Sequence, residues 1–165
     1  MAPKSVLLFG ATGYIGGAFL SNLHARFGSK LGESFCITLA SRRTEKARKI
    51  QALIPGSTAI ELSLQDLVGL EEQSQKHDII VQIALDRNVD DAIVKADDAG
   101  HIRSYILVPT VVFGKPSGLI HQQGLANLTS MGIGAIISAA LGRRAVGRVG
   151  PAETLWSLVH VDDGE

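Results

Sequence analysis

The sequence contains almost no cysteine, since Cys36 is the only one among 165 residues. An internal disulfide is therefore impossible, and a metal site built on cysteine ligands is not expected. Neither sign of charge predominates either, because 16 lysines and arginines balance 16 aspartates and glutamates. This balance gives no reason to expect nucleic acid or an anionic membrane as the main partner.

Long hydrophobic runs are also missing. The most apolar segment in the second half of the chain, residues 131–141, is too short to span a bilayer. Residues 1–4 lead directly into a strand-like run, without the longer apolar stretch and the small-residue cleavage site of a signal peptide. We therefore expect a cytoplasmic protein that does not associate with membranes.

The sequence does contain an alternation of short apolar runs and segments with helical spacing. Runs rich in β-branched and aromatic residues predict strands, and the spacing of Ile15, Phe19 and Leu23 predicts a helix that faces a sheet. Strands that alternate with helices imply a parallel sheet covered on both faces, an α/β fold, since parallel neighbours need helical crossovers. The predicted strands are residues 5–9, 35–40, 58–62, 78–85 and 105–108, and the predicted helices are residues 15–27, 44–53, 64–75 and 88–99.

Glycine, proline and polar residues mark the predicted ends of these elements. Residues 28–32 and 114–118 are predicted to be loops because glycines interrupt the pattern there. Thr44 is the predicted N-cap of the second helix, and Gly100 is the predicted C-cap of the fourth. The last third of the chain predicts one or two helices within residues 119–141 and extended pieces at residues 145–149 and 156–161.

A glycine-rich motif follows the first predicted strand and opens the first predicted helix. Gly10 permits a tight turn, Gly13 lets backbone N–H groups approach a pyrophosphate, and Gly16 lets the helix lie close to the strand. The N-terminus of the helix adds partial positive charge. This context predicts a dinucleotide-binding βαβ unit; the alternative is a glycine-rich turn that binds nothing.

The end of the second predicted strand indicates which dinucleotide is bound. An NAD site usually has an acidic residue there for the ribose 2′-hydroxyl, whereas an NADP site has basic residues. This chain has Ser41, Arg42 and Arg43, with no carboxylate before Glu45. Arg42 could pair with a 2′-phosphate, and Ser41 could donate a hydrogen bond. The sequence therefore favours NADP(H) over NAD(H); the alternative is a solvated pair of arginines at a helix start.

The glycine spacing, with Ala11 and Thr12 between the first two glycines, resembles that of the extended and atypical short-chain dehydrogenase/reductase superfamily. Residues 105–114, YILVPTVVFG, resemble the strand and the loop that lie beside the nicotinamide in epimerase/dehydratase-like members. Residues 150–163, with Gly150, Trp156 and VHVDD, resemble a later stretch of the same family. The resemblance, which extends to NmrA-like relatives, implies a Rossmann-type doubly wound parallel sheet.

The resemblance also implies further contacts with the cofactor. Residues 63–66, SLQD, are similar to the family's Asp-Leu-x-Asp, whose first residue binds the adenine amino group and is Ser63 here. Ala84 stands where the family places a small residue against the cofactor; a turn serine and a core alanine, however, need no ligand. The complete set of expected cofactor-binding residues is Gly10, Thr12, Gly13, Tyr14, Ile15, Gly16, Ser41, Arg42, Arg43, Ser63, Leu64, Ala84 and Pro109.

The catalytic pair that the resemblance implies, Tyr-x-x-x-Lys on a helix, does not occur in this sequence. Four residues after Tyr14 comes Ala18, and four residues after Tyr105 comes Pro109. The catalytic residues therefore stay unassigned, and no metal site is expected. Other groups that could transfer a proton have structural interpretations instead: Lys115 in an exposed turn, His121 on a helix surface and His160 in a packing position.

These features predict a shortened relative of the superfamily. Residues 1–113 are expected to form the NAD(P)-binding domain, and residues 114–165 a truncated substrate lobe packed on it. The first functional hypothesis is an NADP(H)-dependent oxidoreductase or epimerase-type enzyme that acts on a small carbonyl or hydroxyl substrate. The alternatives are a non-catalytic NADP(H)-binding sensor or regulatory module and an inactive truncated fragment. Helices within residues 119–141 are candidates for a homodimer contact.

Overall fold

The computed structural model describes residues 2–83, 87–100, 103–104, 111–148, 150–151, 153, 155 and 157–163. The strands are β1 Lys4–Phe9, β2 Phe35–Ser41, β3 Ser57–Glu61, β4 Ile79–Gln82, β5 Arg103–Ser104, β6 Val111–Phe113 and β7 Leu158–His160. The α-helices are α1 Tyr14–Phe27, α2 Leu31–Ser34, α3 Thr44–Leu53, α4 Leu67–Ser74, α5 Arg87–Asp98, α6 Leu119–Gln122 and α7 Met131–Arg143.

Five parallel strands form the main sheet in the order β3-β2-β1-β4-β5. The chain builds outward from β1 to β3 on one side and then returns to the other side of β1 for β4. This reversal is the topological switch point of a Rossmann-type sheet, where ligands bind outside the carboxyl ends of the strands. The predicted α/β, doubly wound fold class is confirmed.

The middle strand β1 explains why helices cover both faces of the sheet. Leu7 and Leu8 are both fully buried, and successive side chains on a strand point to opposite faces. Leu8 packs in one cluster with Leu20 of α1, whereas Leu7 packs in another cluster with Leu70 of α4. Burying a leucine side chain stabilises a fold by roughly 1.5–3 kcal/mol, so the continuous apolar run of β1 favours this central position.

A second, two-stranded sheet lies beside α1. Its strands β6 and β7 pair in parallel, and Val112 and Val161 pack against Tyr14 and Ala18 of α1. The helix α6 also contacts α1. A Cβ on Gly118 would lie 2.5 Å from the hydroxyl oxygen of Ser21, so a glycine at this position permits the close approach of α6 to α1.

The helix α7 presents apolar side chains to solvent. It contacts β6, yet Met131, Ile136 and Leu141 are 79%, 65% and 73% exposed. The two helices α6 and α7 confirm the prediction for residues 119–141. Among the described residues, none of the helices combines the length and the apolar character that crossing a membrane requires.

The structure corrects two predicted helix starts. Thr44 is the first residue of α3 rather than its N-cap; the cap position is held by Arg43, whose N–H donates to the Ser41 hydroxyl at 3.3 Å. The helix α4 begins at Leu67 rather than at Leu64, because Asp66 caps it by accepting from the Gly69 N–H at 3.0 Å. In both places a side chain binds the backbone of a turn before the helix can begin.

Two further segments differ from their predictions. Residues 28–32, predicted as a loop, contain a 3₁₀ turn, Gly28–Lys30, and the start of α2, because Leu31 is buried in the core. Residues 145–148 are not a strand, and Val146 is 88% exposed, so no packing favours one there. The predicted strand 105–108 lies outside the described residues; Arg103–Ser104, just before it, pairs with β4.

Candidate functional site

The glycine-rich turn joins β1 to α1 through close backbone contacts. Gly10 has φ of +87°, a conformation that favours glycine, and its carbonyl accepts from the Gly13 N–H at 2.8 Å. A Cβ on Gly16 would collide with the Gly10 carbonyl oxygen and lie 2.7 Å from the carbonyl carbon. The turn therefore depends on glycine at these positions. Since Gly13 has no side chain to cap α1, the first amides of the helix face the approach that an anion would take.

A groove of about 310 Å³ lies at the carboxyl ends of the first three strands. Parallel strands end at one edge of a sheet, so the segments that follow β1, β2 and β3 meet there. Six expected cofactor-binding residues line this groove, and four further residues complete it. The expected residues are Gly10, Thr12, Ser41, Arg42, Ser63 and Leu64, and the additional ones are Phe9, Ala40, Leu62 and Gln65.

Three of the four additional residues carry a signal that sequence reasoning could have used. Phe9 is the last residue of β1, Ala40 is the penultimate residue of β2, and Leu62 directly follows β3. All three are buried and form the floor where the strands end. Once the strands are placed, any residue at a carboxyl end becomes a candidate for contact with a ligand. Gln65 has no such signal, because only the turn after β3 brings it to the groove.

The segment after β2 contributes a basic residue to the groove. The Ser41 hydroxyl donates to the Arg43 carbonyl oxygen at 2.9 Å, so this hydroxyl stabilises the turn. Arg42 is exposed and lines both the groove and an adjoining recess of about 490 Å³. Glu61 and Asp66 line the same recess. Arg42 is therefore shared by the groove and by the recess that the two acidic residues line.

The segment after β3 is a compact turn. The Asp66 N–H donates to the Ser63 carbonyl oxygen at 3.1 Å, and the Ser63 hydroxyl accepts from the Gln65 N–H at 3.2 Å. A serine hydroxyl that accepts one hydrogen bond still has its own hydrogen to donate. Ser63 can therefore donate into the groove while it holds the turn in place.

The other expected residues that the structure describes lie outside the lining of the groove. Gly13 and Gly16 form the start of α1, and Arg43 is exposed beyond the turn. Tyr14 is buried, and its hydroxyl donates to the Gly114 carbonyl oxygen at 2.8 Å. Burial, and secondarily the charge of Asp162, raises the pKa of the Tyr14 hydroxyl. The remaining members of the expected set are Ile15, which is half-buried, and Ala84 and Pro109, which lie outside the described residues.

The three side chains considered for proton transfer lie in different surroundings. Lys115 is exposed in the loop after β6, as expected. His160 packs edge-on against Phe113, and its Nδ1 accepts from the Asp162 N–H at 3.2 Å. The expectation of a surface position for His121 is wrong, because this side chain is 3% exposed. In the described part of the chain, histidine, cysteine, aspartate and glutamate form no cluster that could hold a metal ion.

Solved structures with a similar arrangement include enzymes and nucleotide-binding proteins. Saccharopine dehydrogenase from Saccharomyces cerevisiae is 20% identical, with a TM-score of 0.47 over 64% of this chain and 22% of that one. A wide-type short-chain dehydrogenase/reductase from Veillonella parvula, in complex with NADP, is 24% identical, with a TM-score of 0.42 over 61% and 45%. A Rossmann-fold NAD(P)-binding family protein from Shigella flexneri is 21% identical, with a TM-score of 0.47 over 68% and 55%.

This protein spans 22% to 55% of the length of those three structures. No family model matches the sequence, and no curated protein matches it. The assignment of the fold therefore rests on the strand order of the sheet.

Proposed function

We propose that this protein binds NADP(H) in the groove at the ends of β1, β2 and β3. The observation that carries the proposal is the convergence of Gly10, Arg42 and Ser63, which belong to three separate turns, on one groove. The glycine turn and the start of α1 would hold the pyrophosphate, because backbone N–H groups and the helix dipole favour negative charge there. The absence of room for a Cβ at Gly16 fits a backbone built for such an approach.

Arg42 supports NADP(H) rather than NAD(H). Its guanidinium lines the groove and can form a bidentate, charge-assisted pair with a 2′-phosphate. Glu61 and Asp66 lie in the adjoining recess, where they can hold the guanidinium in place before the phosphate arrives. Ser63 and Leu64 would contact the adenine end, with a hydroxyl donor and an apolar surface.

The reaction class that we propose is oxidation–reduction or epimerisation of a small carbonyl or hydroxyl compound. A bound nicotinamide would supply or accept the hydride. Tyr14 is a poor proton donor for such a reaction, since its hydroxyl is buried and donates to Gly114. The lack of a Tyr-x-x-x-Lys pair in the sequence favours the second candidate function, a sensor that binds NADP(H) without turning it over.

The test is a calorimetric titration of the purified protein with NADPH and, separately, with NADH. The proposal requires binding of NADPH and tighter binding of NADPH than of NADH. Gly13→Asp serves as the negative control, because it places a carboxylate at the start of α1 where the pyrophosphate would lie. Failure of a folded protein to bind either dinucleotide would overturn the proposal.

A second assay separates the enzyme from the sensor. NADPH consumption is followed by its absorbance in the presence of a panel of small aldehydes and ketones. Turnover that disappears in Gly13→Asp supports the enzyme, whereas tight binding without turnover of any compound in the panel supports the sensor.

A further inference from the structure

His121 makes a buried contact with the first residue of α1. Its Nε2 lies 3.0 Å from the Tyr14 carbonyl oxygen. A carbonyl oxygen only accepts hydrogen bonds, so Nε2 carries the hydrogen and, in the neutral ring, Nδ1 is a bare acceptor. Nδ1 is buried, and no residue that the structure describes forms a hydrogen bond with it. Most buried polar atoms of folded proteins have a hydrogen-bond partner, so this arrangement of Nδ1 is unusual.

The segment that carries His121, residues 118–127, acts as a brace on α1 and on the glycine turn. The Asn127 N–H donates to the Thr12 carbonyl oxygen at 3.1 Å, and Thr12 lines the groove. The Ile120 N–H donates to the Ser21 hydroxyl at 3.1 Å. The brace therefore holds the phosphate side of the groove and the first turns of α1 at once.

Gly17 of α1 is fitted to this brace. A Cβ at this position would collide with the Ala126 side chain and lie 2.8 Å from Cε1 of His121. The imidazole thus packs directly on the helix backbone with no side chain between them. A ring that gains charge in such a contact has little room to reach water.

Two described ionisable groups act on the imidazole. Tyr14 of α1 lies edge-on to it, with ring centroids 6.5 Å apart, and its hydroxyl is neutral near physiological pH, since burial raises its pKa above an ordinary value that is already 10.0. Asp162, after β7, favours the protonated imidazole. The Tyr14 and Asn127 backbones and Asp162 favour the charged imidazole, but burial disfavours it more strongly. The pKa of His121 is therefore below its usual 6.5.

We infer that His121 is a positioning residue: its neutral ring holds the brace on the glycine turn, and protonation of Nδ1 releases the brace. As a consequence, which rests on the proposed function, acid weakens the binding of the dinucleotide. The neutral ring keeps its Nε2–H bond to Tyr14 without charge, whereas the protonated ring places a cation in a buried site that is packed directly on Gly17.

The lowered pKa fixes the direction of the effect. A histidine whose pKa is lower in the folded protein binds fewer protons there than in the unfolded chain, so stability increases with pH. The contribution of His121 is fully present above the ordinary pKa of 6.5, and it decreases as the pH falls toward the lowered value. One proton changes an equilibrium constant by at most about tenfold per pH unit.

The experiment compares the wild type with His121→Gln between about pH 5 and 8, the range in which a histidine titrates. A glutamine amide can donate to the Tyr14 carbonyl oxygen but does not titrate in this range. His24→Gln, which changes another histidine of the chain, is the matched control. Hydrogen exchange of residues 118–127, corrected for intrinsic exchange rates, and the affinity for NADP⁺ are measured on the full chain.

We expect the wild type and His24→Gln to lose exchange protection in the brace below about pH 6.5, the ordinary pKa of histidine, and His121→Gln to keep it. NADP⁺ affinity should fall more steeply in the wild type than in His121→Gln, by up to about tenfold per pH unit. This comparison cancels the titration of the 2′-phosphate itself, which occurs near pH 6 as in other phosphate monoesters.

Equal loss of protection in the wild type and His121→Gln would overturn the role of His121. Loss of protection with equal pH dependence of NADP⁺ affinity in both proteins would overturn the coupling to the groove. Absence of NADP⁺ binding at every pH would contradict the proposed function, and the exchange data, which need no ligand, would still decide the role of the brace.

Discussion

The Asp78 carboxylate accepts hydrogen bonds from both the N–H and the hydroxyl of Ser5, at 2.8 and 2.9 Å. The Asp78 N–H donates in return to the Ser5 hydroxyl oxygen at 2.9 Å. These bonds join the start of β1 to the residue just before β4, the strand pair at which the sheet reverses its order. The Ser5 backbone and side chain hold the pKa of Asp78 below its usual value of 3.8.

Asp78→Asn should lower the free energy of unfolding at neutral pH and reduce its dependence on acid. A carboxylate whose pKa is lowered by folding stabilises the protein above its ordinary pKa of 3.8, and this contribution is lost as the pH falls toward the lowered value. Urea unfolding at a series of pH values from neutral into the acid range measures both effects. Glu72→Gln, on the exposed side of α4, is the control; an unchanged acid slope in Asp78→Asn would contradict the prediction.

Gly16→Ala should destabilise the protein by about 1–3 kcal/mol, the usual cost of inserting a group into a closely packed site. The new Cβ would lie 2.7 Å from the Gly10 carbonyl carbon, so α1 has to move away from the turn. In Gly134→Ala, within α7, the new Cβ meets no described atom within 4 Å, and alanine should stabilise the helix by roughly 0.5–1 kcal/mol. Thermal unfolding measures the change in stability of both variants. A stability of Gly16→Ala equal to that of the wild type would contradict the close contact.

Arg42→Gln should weaken NADPH binding by more than about tenfold, because a charge-assisted hydrogen bond contributes roughly 1.5–3 kcal/mol. NADH has no 2′-phosphate, so its affinity should change little. Arg43→Gln is the matched control, since Arg43 is equally exposed but lies outside the lining of the groove. The measurement is calorimetry with both dinucleotides. Equal weakening of NADPH and NADH by Arg42→Gln would contradict the assignment of the 2′-phosphate.

Leu20→Ala should cost about 2–5 kcal/mol of stability, the range for removing a buried leucine side chain. Leu20 is fully buried between α1 and the sheet, in the cluster that contains Leu8 and Leu39. Val146→Ala, at a position that is 88% exposed, should change the stability by less than about 0.5 kcal/mol. Chemical unfolding measures the stability of the two variants. Similar unfolding midpoints would show that the stability of the protein does not depend on the packing of α1 in this cluster.

The parts of the fold that follow local rules could be predicted from the sequence. The apolar run of β1, the spacing of Gly10, Gly13 and Gly16, and the alternation of strands and helices are all signals that lie within a few residues of each other. They are sufficient for a parallel sheet with a glycine turn at its switch point, and the strand order agrees. The roles of individual residues toward a ligand stay predictions.

The remaining features depend on contacts between distant residues. His121 is buried because it packs on Gly17, about a hundred positions earlier in the sequence, and no local pattern indicates this. Likewise, β6 is a short segment that becomes a strand only by pairing with β7, whereas the extended piece that contains β7 is predicted from the sequence at residues 156–161. The N-cap of α3 is a further case: Thr44 has the side chain of a typical N-cap, but Ser41 bonds the backbone of Arg43 and the helix begins one residue earlier than such a cap would place it.

The central position of β1 also determines when the sheet can be completed during synthesis. Ser5 and its partner Asp78 are separated by 73 residues, and ribosomes add about 5–20 residues per second. Roughly 4–15 s therefore pass between the synthesis of β1 and the synthesis of β4, one of its two neighbours in the sheet. During that interval one edge of an apolar strand has no native partner, and an unpaired edge of this kind favours aggregation until β4 has left the ribosome.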